Sequence, residues 1–242
     1  MIKKRYLFLI LIVCLFAISA VSGEEISNET NIVANDYDSS LITESVNEDI
    51  LTDSYGTFQE LQEEINAVGE GGTLNLTRNY KYGDGSTEGI QINKAITIDG
   101  QDHTLDGKQV SRIMKINGNQ VVLKNMQIIN GKNRDDGGGI YFGGNNGKIL
   151  NCTFEKNSVT KDMSRGGGLY ISGKNNSVLN CKFIDNEAIC GGAISIYLHR
   201  NSIIENCTFI NNYACYGGGI DCLSNHIMKK EMLKKIFLIV LS

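Results

Sequence analysis

Two rhythms govern the apolar residues between Asn125 and Asn225. Within short stretches they alternate with polar or small residues, the period of a strand with one buried face. The same short pattern then returns as a unit: Asn125, Asn151, Asn180 and Asn206 lie 26, 29 and 26 residues apart. Two residues before each Asn stand Leu123, Ile149, Val178 and Ile204; one after it, Met126, Cys152, Cys181 and Cys207; three after it, Ile128, Phe154, Phe183 and Phe209. A second signature, Gly-Gly-x-Ile/Leu, begins at Gly137, Gly166, Gly191 and Gly217 and brings in Ile140, Leu169, Ile194 and Ile220. Two residues further on stand Phe142, Ile171, Ile196 and Cys222.

A period in the twenties predicts a solenoid in which each repeat is one layer. Gly and Asn at fixed positions in every copy exclude helical layers, which leaves a β-solenoid with parallel strands stacked about 4.8 Å apart. The apolar rows then face inward and stack like on like. Asn151, Asn180 and Asn206 are expected at a bend, each amide bonded to that of the next coil in a hidden ladder.

Upstream, Thr57-Phe58-Gln59-Glu60 is a capping box. Phe58, Leu61, Ile65 and Val68 follow at helical spacing until Gly69, Gly71 and Gly72, so a short amphipathic helix is predicted over Thr57 to Ala67. It is placed to cover the open first layer. Strands are expected at 73–76, 90–92, 95–98, 104–105, 113–116 and 121–123, separated by turns such as Asp99-Gly100 and Asp106-Gly107. The predicted fold class is all-β: a β-solenoid over 55–225 with a short N-terminal capping α-helix.

Charge divides the chain further. Lys3, Lys4 and Arg5 precede a 15-residue apolar run, Leu7 to Val21, and small residues; residues 1–23 read as a secretory signal peptide. That run is short of the roughly 20 residues that span a bilayer, so no stable transmembrane segment is expected. Residues 24–54 hold nine acids and neither Lys nor Arg, the composition of a disordered acidic linker. The net charge is −4, and the repeat region is near neutral, which gives no footprint for nucleic acid. Residues 226–242 form a basic and apolar tail that resembles the start of a second signal peptide. It suggests a truncated or rearranged reading frame, and with it a reading as a non-functional fragment. A last coil left uncovered would invite end-to-end association.

Seven cysteines in a secreted chain would ordinarily suggest disulfides. Here Cys152, Cys181 and Cys207 share one inward row, where side chains about 4.8 Å apart exceed the roughly 3.8 Å Cβ separation of a disulfide. They are expected as free thiols. Cys190 and Cys215, each in a loop ahead of its glycine signature, are the one pair to test for a bond. No Cys-x-x-Cys is present, and no zinc or other metal site is expected.

The motifs Phe154/Asn157, Phe183/Asn186 and Phe209/Asn212, each followed by Gly-Gly-x-Ile/Leu, resemble the repeat of polymorphic outer-membrane proteins. The whole layout is similar to the adhesin-like surface proteins of methane-producing archaea: apolar leader, acidic spacer, GTFQELQEEIN helix, ITIDGQDHTLDG, then the repeats. The resemblance covers roughly residues 55–225. It implies a right-handed parallel β-helix, similar in fold to pectin lyases, in a secreted or cell-surface adhesin. The implied partners are glycans or proteins on other cells.

Chemistry is expected where the copies differ, on the flank between the two signatures. Asp135, Asp136 and Asp162 fall on neighbouring layers beside Arg134 and Arg165. Pectin-lyase-like enzymes use carboxylate clusters with Ca²⁺ and a basic residue, or carboxylates alone for glycoside hydrolysis. In that reading Asp135, Asp136, Asp162 and Arg165 form the catalytic set, and Ca²⁺ is the one cofactor they would take. The other reading is a solvated loop with compensating charges. His103, His199 and His226 stand alone, and no Gly-His-Gly occurs. Binding is therefore favoured over catalysis, with a polysaccharide lyase or glycoside hydrolase as the alternative. The candidate ligand contacts are Arg134, Tyr141, Tyr170, Tyr213 and Tyr216. Tyr141 and Tyr170 follow consecutive glycine signatures and should point outward, either as a sugar platform or as an aromatic ladder. Asn28, Asn75, Asn151, Asn175 and Asn206 begin Asn-x-Ser/Thr sequons; Asn151 and Asn206 are expected to be hidden.

Overall fold

The computed structural model describes residues 55–197, 201–223 and 237–238. The leader, the acidic linker, His199, His226 and all of the tail except Phe237 and Leu238 lie outside the described residues. Six coils stack along one axis, every strand pairing in parallel with its counterpart one coil away. The strands fall into four sheets. One comprises Thr73–Asn75, Thr97–Asp99, Val122–Lys124, Lys148–Leu150, Ser177–Leu179 and Ile203–Glu205. A second runs from Gly56–Thr57 through Thr153–Glu155, Lys182–Ile184 and Thr208–Ile210 to Phe237–Leu238. The third comprises Ile90–Ile92, Met114–Ile116, Ile140–Phe142, Leu169–Ile171, Ile194–Tyr197 and Ile220–Leu223. The fourth is confined to the later coils: Lys132–Asn133, Ser158–Val159, Glu187–Cys190 and Tyr213–Tyr216.

The register makes the sequence rows physical columns. Ile128, Phe154, Phe183 and Phe209 are aligned partner to partner. Leu123, Ile149, Val178 and Ile204 are aligned likewise. All of them are buried. Phe154 and Phe183 stack with ring centroids 4.6 Å apart and planes 10° apart; Phe183 and Phe209 are 5.3 Å and 9° apart. Each stacked pair adds about 1 kcal/mol to the burial of its area.

The corners are turned by left-handed residues. Asn125, Asn151, Asn180 and Asn206 all have φ between 53° and 55°. Five residues on, Asn130, Lys156, Asp185 and Asn211 repeat the conformation at the next corner. Asn tolerates this region better than other non-glycine residues because its short amide bonds locally, which explains its abundance.

The first Asn column is a ladder, but not a hidden one. Asn151 Nδ2 donates to Asn125 Oδ1 at 3.2 Å and Asn180 Nδ2 to Asn151 Oδ1 at 3.2 Å, yet Asn151, Asn180 and Asn206 are all exposed. The left-handed corner turns their side chains out to water, and the sequons at Asn151 and Asn206 are accessible. The buried ladder is the closing Asn of the motif. Asn157 and Asn186 are fully buried. Asn157 Nδ2 donates to Asn186 Oδ1 at 2.9 Å, and Asn186 Nδ2 to Asn212 Oδ1 at 2.9 Å. Each amide also bonds the backbone of the preceding coil twice: Asn186 Nδ2 donates to Phe154 O, and Asn186 Oδ1 accepts from Asn157 N.

A helix, α1, spans Phe58–Ala67 with Thr57 as its N-cap. Glu60 N donates to Thr57 Oγ1 at 3.1 Å and Thr57 N to Glu60 Oε2 at 2.6 Å, a complete capping box. Phe58, Leu61 and Ile65 are buried against the first coil. Gln62 closes the edge of the third sheet: Gln91 N donates to Gln62 Oε1 at 2.7 Å and Gln62 Nε2 to Gln91 O at 3.0 Å. At the far end Phe237–Leu238 pairs with Thr208 and Phe209, so the second sheet does not stop at the sixth coil. No described helix is long and apolar enough to cross a membrane.

Candidate functional site

The two glycines of the second signature build the flank on which chemistry was expected. Gly137, Gly166, Gly191 and Gly217 have φ between 63° and 77°, the turn that carries the chain into the third sheet. The glycine that follows has a different reason. A Cβ on Gly167 would lie 2.5 Å from Gly192 O, and one on Gly138 would lie 2.6 Å from Gly167 O. Successive coils are pressed backbone to backbone at this point, and no side chain fits.

Just ahead of these glycines, Asp136, Arg165, Cys190 and Tyr216 fall in one column, since Arg165 bridges Cys190 and Cys190 pairs with Tyr216. Beyond the glycines runs a second column: Lys115, Tyr141, Tyr170, Ser195 and Asp221. Tyr141 and Tyr170 pack with centroids 5.5 Å apart. They do not form an exposed platform, because Tyr170 is only 6 % exposed. It sits between the inward Leu169 and Ile171 and faces away from the interior, but the flank closes over it. Burial, then the charge of Asp136, push its phenol pKa far up, so Tyr170 keeps its proton. Tyr141 lies beneath cations, with the Arg112 guanidinium carbon 5.8 Å and Lys115 Nζ 5.9 Å from its ring centre.

Asp135, Asp136 and Asp162 do come together, lining a pocket of about 160 Å³ with Lys161, Met163 and Ser164. Their environments differ. Asp136 is half-buried, and burial raises its pKa although Arg165 N donates to its Oδ1 at 2.8 Å. Asp135 is exposed and its pKa is lowered by the bond from Lys161 Nζ, 3.0 Å away. Asp162 is exposed. Arg165 has one guanidinium nitrogen, NH1, buried without a hydrogen-bond partner. Arg134 is exposed and lines a separate groove of about 410 Å³. Tyr213 and Tyr216 are 65 % and 63 % exposed on the last coil, away from the acidic pocket.

Sequence reasoning missed Arg112. It is 2 % exposed, and it donates to Gly137 O at 2.9 Å, Asp136 O at 3.0 Å and Glu88 Oε2 at 2.9 Å. One side chain thus ties the second coil to the coils before and after it. Nothing in the repeats flags it, because it precedes the first glycine signature.

The described cysteines are free thiols. Cys152 N donates to Cys181 Sγ at 3.5 Å within the buried column. The Cys152 thiol raises the pKa of Cys181, the Cys181 thiol raises that of Cys207, and burial adds to both. Burial pushes Cys222 up to about 11. Cys190 and Cys215 are not bonded: Cys190 is buried and its register partner is Tyr216, while Cys215 is exposed. Among the described residues, no group of three or more His, Cys, Asp or Glu is placed to hold a metal ion.

This succession of parallel coils matches a family model described as a right handed beta helix region, over residues 70–229. The chain belongs to that family, a fold compatible with adhesin-like and with pectin-lyase-like proteins. No curated protein and no solved structure matches it.

Proposed function

We propose that the protein is a secreted or cell-surface, adhesin-like binding protein that engages carbohydrate or protein on other cells. The observation that carries this reading is the division of the coil. Its inward columns repeat the same residue types, whereas the flank ahead of the glycines changes from coil to coil: Asp136, then Arg165, Cys190 and Tyr216. A surface that varies along a constant scaffold suits recognition. Burial favours the protonated form of Asp136, Tyr170 keeps its proton, and Asp135 is held by Lys161.

The second reading, a polysaccharide lyase or glycoside hydrolase, draws on one observation. Asp136, with its raised pKa and with Arg165 and Tyr170 beside it, lines a pocket together with Asp135 and Asp162. One experiment separates the two. The full chain is presented to a panel of polysaccharides, and both retention and chain length are measured. Retention with unchanged chain length is expected; shortening that disappears in Asp136→Asn would establish the enzyme instead.

A further inference from the structure

The fourth sheet begins abruptly at Lys132–Asn133. The second coil answers it with a turn rather than a strand: Val110 N and Ser111 N both donate to Gly107 O, at 3.0 and 3.1 Å. Lys108 and Gln109 within that turn are both left-handed, at φ 57° and 58°. Gln101 and Asp102, one corner earlier, form the same pair of left-handed residues. Between the turn and the sheet lies the groove of about 410 Å³.

Its charges are unevenly satisfied. Glu88 is already held by Arg112 at 2.9 Å and Lys115 at 3.4 Å, and Asp135 by Lys161 at 3.0 Å. Lys132 and Arg134 also line the groove, and among the described residues neither side chain makes an ion pair or hydrogen bond. Arg134 contributes only a longer-range field that helps keep Asp135 ionised. Beside them Val110 is 50 % exposed, a small apolar surface in a polar setting.

We propose that this groove binds an anionic saccharide. Lys132 and Arg134 take its carboxylate or sulfate, and Val110 packs against the apolar face of the ring. The inference rests on the binding reading above and adds the place and the ligand class. An extended acidic peptide fits less well, because the sheet edge it would pair with is already used. Lys132 N already donates to Ser111 O at 2.9 Å.

The test applies the full chain to immobilised dextran, dextran sulfate, polygalacturonate and polyglutamate at low and high salt. Salt-sensitive retention is expected on dextran sulfate or polygalacturonate, and the two columns tell sulfate from carboxylate. The double variant Lys132→Gln/Arg134→Gln, shown folded by circular dichroism, should bind at least about tenfold more weakly, in line with two lost charge-assisted bonds. Lys182→Gln, on an exposed position of the second sheet, should change nothing. Unchanged binding by the double variant, or equal retention on polyglutamate, overturns the proposal. Retention on neutral dextran alone overturns it and leaves the binding reading standing. Retention on no saccharide overturns it and removes the glycan half of that reading.

Discussion

The two asparagines of each motif show how much a single corner decides. Asn180 and Asn186 both bond to their counterparts one coil away, but Asn180 is exposed and Asn186 is not. Removing the Asn180 amide costs a bond that water can replace. Removing that of Asn186 orphans the buried N–H of Asn157 and the carbonyl of Phe154 together. Buried groups left unpaired cost about 1–3 kcal/mol each. Asn186→Ala is therefore expected to lower unfolding stability by roughly 3 kcal/mol and Asn180→Ala by about 1 kcal/mol, read from urea melts. Equal losses would refute the assignment of the buried ladder. This is also where the sequence misled. Alternation along a strand identifies which residues face inward, and Phe154, Phe183 and Phe209 are indeed buried. A corner has no alternation, so the side of the wall an Asn faces depends on a φ value that residue names do not encode. Tyr170 is a related case: its outward direction follows from the alternation, but its burial beside Tyr141 and Asp136 of the preceding coil does not.

At the scale of elements, the helix and the four sheets solve complementary problems. A stack of parallel strands leaves its first layer with unpaired backbone and bare apolar rows. Helix α1 covers the rows with Phe58, Leu61 and Ile65, and Gln62 supplies both a donor and an acceptor to Gln91. The capping box and the helical spacing made this element plain from its residues. The fourth sheet was not foreseen, because its strands are two to four residues long and carry no alternation. With it the groove beside Lys132 also went unseen, although Arg134 had been singled out by charge. The helix makes a direct prediction. Leu61 is fully buried, and Leu61→Ala should cost about 3 kcal/mol through the cavity it leaves. Because the loosened helix bares the first coil, the variant should also elute earlier on size exclusion as concentration rises. A loss under about 1 kcal/mol with unchanged elution would show that α1 is not the lid of the solenoid.

Taken whole, the molecule is close to one-dimensional, since its strands pair only with those of neighbouring coils. Stability should then vary along the axis instead of being shared evenly. Ile140, Leu169 and Ile194 are fully buried, whereas Ile220 in the same column is half-buried, with Asp221 and Cys222 beside it in the same state. Hydrogen exchange followed by mass spectrometry should find the amides of Leu169–Ile171 the slowest of the third sheet and those of Ile220–Leu223 the fastest. Uniform protection through all six coils would mean that the stack opens only as a unit.

Those neighbour contacts also set how the chain reaches its shape. Backbone rungs between neighbouring coils join residues 21 to 31 apart in sequence, as in Lys132 to Ser111 and Gly173 to Phe142. For a protein made almost wholly of strands, that is a short search. No strand waits for a partner from the distant end of the chain. The lid is the first part of the stack to be synthesised, so each coil meets a finished template as soon as its last residue appears. A chain of this kind can assemble in the order it is made, one turn at a time, and need never expose more than one unfinished edge.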